Sequence, residues 1–134
     1  MSQEDVEIVE AAYEALADEG LDRWIEYWSR DLEHRGIEGA PDDRGPIHGR
    51  DAMRAYVQDW IDLFDDFRIE PIELIDAGEN TVVAILRFGG RAKLSRVTTD
   101  QIMGAVFQIR DGKIALGREY ATRADALEAA GLSE

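Results

Sequence analysis

The sequence predicts an α+β protein, with helices gathered in the first half and an antiparallel sheet in the second. Apolar residues recur every three to four positions over residues 3–18 and again over 50–65, the period of a helix with one buried face. From Phe67 onward the pattern changes to alternation, the period of a strand. Near the end, Asp111-Gly112 separates two alternating runs, the strongest short-range signal for a two-residue hairpin. Helices segregated from a meander pack onto one face of the sheet.

The first helix covers residues 3–18. Val6, Val9, Tyr13 and Leu16 form its apolar stripe, Ala12 fills it, and Gly20 stops it. Glu4, Asp5, Glu7, Glu10 and Glu14 make its wet face. Asp22 caps a second, shorter helix that holds Trp24, Ile25, Tyr27 and Trp28. Glu33 to Glu38 can form a short strand. Ala40 to Gly49, with two prolines and two glycines, reads as an ordered loop or lid. The third helix runs from Arg50 to Asp65 with Met53, Tyr56, Val57, Trp60 and Phe64 on one face. Phe67 to Asp76 alternates as a strand, and Pro71 places it at an edge or a bulge. Residues 76–80 turn the chain into Thr81–Phe88, a strongly apolar strand. Arg91, Lys93 and Arg96 mark a solvated hairpin end. Thr122 caps a last helix, Arg123 to Ala130, which Gly131 closes. There is no linker, repeat or low-complexity tract, so residues 1–134 form one domain.

The hairpin of residues 97–121 organises the rest. A two-residue turn fixes its register, so Ile109 faces Ile114, Phe107 faces Leu116 and Gly104 faces Glu119. Strict alternation then gives two faces. Met103, Ala105, Phe107, Ile109, Ile114, Leu116, Arg118 and Tyr120 make a bulky one. Asp100, Ile102, Gly104, Val106, Gln108, Ala115, Gly117, Glu119 and Ala121 make a small one. The small face leaves room above it for helix side chains or a cavity. The bulky face needs a cover, and a second copy of the chain is the simplest.

Fifteen basic against 29 acidic residues give a net charge of −14. That excludes the basic footprint needed for nucleic acid or an anionic membrane surface. No stretch is long and apolar enough to span a membrane, and no secretory leader stands at the start, so a cytoplasmic protein is expected. Without cysteine there are no thiolate ligands. No His-rich spacing suggests a metal, and nothing calls for a cofactor.

The ordered set of two helices, EHRGIEGAPDD, HGRDAMRAYVQDWIDLFDDFRIEP and QIRDGKIALGREYATRADALEAAGL resembles the SnoaL-like members of the NTF2-like superfamily along nearly the whole chain. The resemblance implies a cone. Three N-terminal helices and a short C-terminal one would pack on a curved antiparallel sheet around a cavity. It also implies a homodimer through the outer sheet face. Relatives in that superfamily include polyketide cyclases, ketosteroid isomerases, limonene-type epoxide hydrolases and members without an assigned activity. The ketosteroid isomerase base would fall on Gly36, the second acid on Gly104 or Ala105, and the helix-one tyrosine within a residue of Tyr13. The epoxide hydrolase set matches Glu119 within Arg118-Glu119-Tyr120, while its arginine would be Arg87 and its other Asp falls on Gly89. Alternation also allows Leu86 and Phe88 inside with Arg87 outside.

Glu119 is the candidate acid or base, because a carboxylate on an enclosed face can exchange protons with a ligand. His34 shares the parity of Gly36 and can donate or shuttle a proton. Asp100 has the same cavity parity as Glu119 but lies roughly 13 Å along the sheet, at about 3.3 Å per residue. Tyr13, Trp28, Trp60, Leu86, Phe88 and Ile102 are candidate lining for a small hydrophobic ligand. The plainer alternatives are a structural ion pair at Glu119 and ordinary core for the lining. A small enzyme, a ligand carrier and an adaptor module with a filled cone all fit these residues.

Overall fold

The computed structural model describes residues 2–132. Helix α1 (Ser2–Glu19) and the short α2 (Leu21–Trp24) lead through a 3₁₀ turn (Ile25–Tyr27) into strand β1 (Trp28–Arg35). Strand β2 (Ile47–His48) and helix α3 (Arg50–Leu63) follow. Strands β3 (Arg68–Gly78), β4 (Thr81–Arg91), β5 (Thr98–Arg110) and β6 (Lys113–Tyr120) and helix α4 (Arg123–Ala129) complete the chain. The six strands form one curved, open sheet in the order β2-β1-β6-β5-β4-β3. Neighbours are antiparallel except β1 and β6, which run parallel.

Helix two is shorter than expected, and Trp28 opens a strand instead of closing a helix. Asp22 does not cap it: Gly20 occupies that position, and Asp22 accepts from Arg54 Nε at 2.8 Å. Asp5 leaves the wet face of α1. It is buried and accepts from Asn80 Nδ2 at 2.9 Å, which ties the helix to the β3–β4 turn. Pro71 lies on the edge strand β3, and the β3–β4 register shifts between Pro71 and Glu73, as a residue without an N–H requires. Thr122 caps α4 by accepting from the Asp125 N–H at 3.1 Å.

Two apolar clusters sandwich the sheet. The larger joins Val9, Ala12 and Tyr13 of α1, Trp24, Trp28 and Leu32, Met53 and Tyr56 of α3, and Val82, Ala84, Leu86, Met103, Phe107 and Ile114 of the sheet. The smaller puts Ala126 and Leu127 of α4 on Val83 and Ile85, with Val106 and Tyr120 beside them. Strand β4 alternates between the two clusters, which explains why its sequence is apolar almost throughout.

The bulky β5 face is therefore the inner one. Met103, Ala105, Phe107 and Ile109 pack against the chain's own helices, so the expectation that a second copy covers them is corrected. Each bulky apolar side chain buried in this way contributes about 1.5–3 kcal/mol, reason enough for the monomer to enclose that face itself. The small β5 face looks outward. Gly104 lies under α4, where an added Cβ would meet Ala126 Cβ at 2.5 Å and the Thr122 carbonyl at 3.1 Å. Room above Gly104 is thus filled by a helix, while the rest of the small β5 face is exposed or half-buried. Ile72, Ile102 and Leu116 remain exposed on the outside. Among the described residues, no helix is long and apolar enough to cross a membrane.

Because α4 contacts the sheet through the space left at Gly104, Gly104→Ala is expected to push the helix away and cost about 1–3 kcal/mol, the usual range for overpacking. Urea unfolding measures this; a midpoint equal to wild type would show that α4 does not depend on that contact.

Candidate active site

Glu119 reaches the inner face through a bulge. At the turn, Arg110 pairs with Lys113 and Ile109 with Ile114, as expected from Asp111-Gly112. The register then shifts, so that Gln108 opposes Leu116, Phe107 opposes Gly117 and Ala105 opposes Glu119. Ala115 is the extra residue, and one extra residue reverses the facing of everything beyond it. Gly117 and Glu119 consequently share a face with Phe107 and Ala105, and Glu119 is buried at 8% exposure.

Two other elements meet this carboxylate. Tyr56 of α3 donates its hydroxyl to Glu119 Oε1 at 2.7 Å. His34 comes from β1, which pairs with β6 at His34–Gly117, and its Nε2 lies 3.3 Å from Glu119 Oε2. That contact has ion-pair distance without hydrogen-bond alignment, so both imidazole nitrogens lack a hydrogen-bond partner among the described residues. Glycines make the cluster possible. A Cβ at Gly117 would meet His34 Nδ1 at 2.5 Å, and one at Gly36 would meet the Tyr56 hydroxyl at 2.5 Å. Trp28 packs edge-on against His34, centroids 5.6 Å apart at 86°.

Tyr13, Leu16, Trp24, His34, Met53, Tyr56, Val57, Trp60, Phe67, Ile69 and Glu119 line a pocket of about 20 Å³. The Trp24 indole N–H is buried there without an acceptor among the described residues. A shallower groove of about 440 Å³ opens next to it between α1, α3 and β3, and Leu16, Phe67 and Ile69 border both spaces. Among the described residues, no group of three or more His, Asp or Glu side chains could hold a metal ion.

Of the residues anticipated from sequence, Glu119, His34, Tyr13 and Trp60 come together at the pocket. Trp28 and Leu86 are core behind it, and Phe88 packs on Trp60 with centroids 5.2 Å apart. Asp100 and Ile102 are corrections. Their parity belongs to the outer face, where Ile102 is 54% exposed and Asp100 makes a bidentate pair with Arg87 at 2.7 and 2.6 Å. Arg87 is therefore outside as well. Tyr56 is the site residue that the sequence does not mark as one. Its signal was a polar-tipped aromatic one turn from Trp60 on the buried face of α3.

The loop between β1 and β2 fastens onto the same helix face. Asp42 accepts from Trp60 Nε1 at 2.9 Å, Arg44 pairs with Asp59 at 2.9 Å, and the Arg44 guanidinium lies 5.2 Å from the Tyr56 ring centroid. Asp43 accepts from the Gly39 and Gly45 N–H groups and from Arg35, each at 3.0 Å. Those bonds hold its carboxyl down at about 2.

Burial first, and the charge of Glu119 second, push the phenols of Tyr13 and Tyr56 far above the ordinary 10.0. Both phenols keep their protons at physiological pH, and Tyr56 donates its own in a hydrogen bond to Glu119. A raised value in the fold means that the stability it reflects is full below pH 10.0, the ordinary tyrosine value, and drains away as the pH climbs further. Phenolate absorbance of the folded protein is thus expected to be the same in wild type, Tyr13→Phe and Tyr56→Phe, with the missing ionisations appearing on unfolding. A native titration step lost in either variant would contradict this.

The SnoaL-like domain family matches residues 9–117. No curated protein matches the chain. Among solved structures, TerC co-crystallised with polyporic acid is 18% identical with a TM-score of 0.76, covering 96% of this chain and 98% of its own. RV0760c from Mycobacterium tuberculosis, in complex with estradiol-17beta-hemisuccinate, is 14% identical with a TM-score of 0.73, covering 87% and 92%. A candidate polyketide cyclase from Xanthomonas campestris pv. campestris is 21% identical with a TM-score of 0.73, covering 96% and 97%. At these identities the likeness shows the fold, an NTF2-like α+β cone. With the family match spanning most of its length, this chain belongs to the SnoaL-like family.

Proposed function

We propose that this protein binds a small, largely apolar organic molecule against Glu119 and moves a proton to or from it. One observation carries the proposal: a carboxylate, a phenol and an imidazole converge in a pocket otherwise lined by aromatic and aliphatic side chains. Convergent polar groups in an apolar recess are the usual form of a small-molecule site. Glu119 is the proton acceptor or donor. Tyr56, always protonated, fixes the orientation of Oε1. His34 stands beside Oε2 and can relay the proton onward.

The closed pocket of about 20 Å³ is too small for such a molecule. Side-chain movement at Leu16, Phe67 and Ile69 would join it to the groove of about 440 Å³, and together they reach the lower range of ligand sites, about 300–1,000 Å³. Structural neighbours crystallised with polyporic acid and an estradiol derivative support a ligand reading by analogy of fold.

The test is turnover against a panel of epoxides, enones and polyketides, with Glu119→Gln as the variant. Loss of a general acid–base group is expected to lower kcat by at least about 100-fold, with the fold retained by circular dichroism. Binding without turnover would make the protein a carrier; neither binding nor turnover would leave an adaptor with a filled cone.

The proposal includes a homodimer through the outer sheet face, where Ile72 and Ile102 are exposed. Sedimentation is expected to show a dimer in the wild type and a monomer in Ile102→Glu; a wild-type monomer at all concentrations would exclude it.

A further inference from the structure

The pocket's chemistry bears on the charge of its ligand. Five of its lining residues are aromatic: Tyr13, Trp24, Tyr56, Trp60 and Phe67. Its single formal charge outside the histidine is Glu119, and no lysine or arginine lines it. Tyr56 is the one hydrogen-bond donor to that carboxylate among the described residues, and it serves Oε1. Oε2 has only the misaligned His34 nearby. A buried carboxylate left with one neutral hydrogen bond is unfavourable until a positive charge joins it.

We infer that the ligand is a small organic amine bound as its ammonium ion, with the nitrogen on Glu119 Oε2 and its substituents among the aromatic rings. This rests on the proposal that Glu119 faces a bound molecule, and it holds whether that molecule is turned over or only carried. Rings attract cations through their faces, and quaternary and tertiary ammonium groups are recognised in aromatic enclosures of this kind. Tyr56 already holds one cation in this way: Arg44 lies over its ring at 5.2 Å. The charge of that guanidinium is matched by Asp59 at 2.9 Å, and Asp42 stands nearby on Trp60, so the loop side adds no net positive charge against a second cation. The groove leading to the pocket is bordered by Asp65, Asp66 and Glu70 against Arg68 alone. Asp65 pairs with Arg96 at 3.2 Å and Asp66 with Arg68 at 3.9 Å, and Glu70 stands opposite Arg87 in the β3–β4 register, so each acid of the entrance has a basic neighbour. A carboxylate or phosphate ligand would meet the negative charge of Glu119, with no lysine or arginine lining the pocket to receive it.

Three probes of one shape separate the possibilities: N,N-dimethylbenzylamine as the cation, isobutylbenzene as its neutral counterpart and phenylacetate as the anion. Binding to the full chain is followed by tryptophan fluorescence and calorimetry at neutral pH. The ammonium probe is expected to bind at least about tenfold more tightly than the hydrocarbon, the order of a desolvated cation–π contact, and phenylacetate not at all. Glu119→Gln is expected to abolish the preference while isobutylbenzene binding persists. If isobutylbenzene or phenylacetate binds as tightly as the amine, the inference is overturned and the ligand site stands. If no probe binds, the ligand site falls, and this inference with it. The ranking on the wild type decides the point even if Glu119→Gln does not fold.

Discussion

A carboxylate enclosed by hydrocarbon is expensive, and this fold is arranged around one. Glu119 receives a phenol from α3 on one of its oxygens, and β1 sets an imidazole 3.3 Å from the other without a hydrogen bond. A charged group taken from water without such partners would lose several kcal/mol. The helices, the parallel β1–β6 pairing and the turn after α2 can all be seen as the means of bringing three distant stretches of chain, near residues 34, 56 and 119, to one point.

That convergence depends on a local irregularity. Without the extra residue at Ala115, β6 would keep the parity set by the Asp111-Gly112 turn, and Glu119 would lie on the outside with Val106 and Gln108. With it, the sheet keeps its apolar β5 face inward and still presents a carboxylate from the neighbouring strand. Bulges recur next to functional sites because they redirect a side chain without disturbing the strand's ends. Here the turn end of the hairpin is regular and the Tyr120 end is displaced.

Much of this was legible in the sequence. Helical spacing located α1 and α3, Thr122 marked the start of α4, and Asp111-Gly112 gave both the turn and the adjacent pairing. Glu119 is a candidate by strand parity and His34 by its place beside Gly36, and the two lie 3.3 Å apart, but Glu119 reaches the inner side through a bulge that parity does not contain. Nothing in KIALGREY announces an extra residue, since Ala115 fits either face. Met103, Phe107 and Ile109 together offer several kcal/mol of burial, so their face had the stronger claim to the core than the one lined by Gly104. Asp100 and Ile102 followed the wrong face outward. Tyr56 was hidden because a tyrosine in an apolar helical stripe looks like core until its hydroxyl finds a partner sixty-three residues away.

Gly36 shows what the site gives up. The Tyr56 hydroxyl occupies the very volume that a side chain at Gly36 would need. Position 36, just past the end of β1, is where the resemblance to ketosteroid isomerases would imply an acid, and this chain departs from that pattern with glycine. The two groups are therefore mutually exclusive tenants of one space: the strand can furnish the polar group and the helix a smaller residue, or the reverse. A side chain at position 36 would therefore have to displace the hydroxyl that holds Glu119 Oε1, so the hydrogen bond at the centre of the site depends on a residue with no side chain at all.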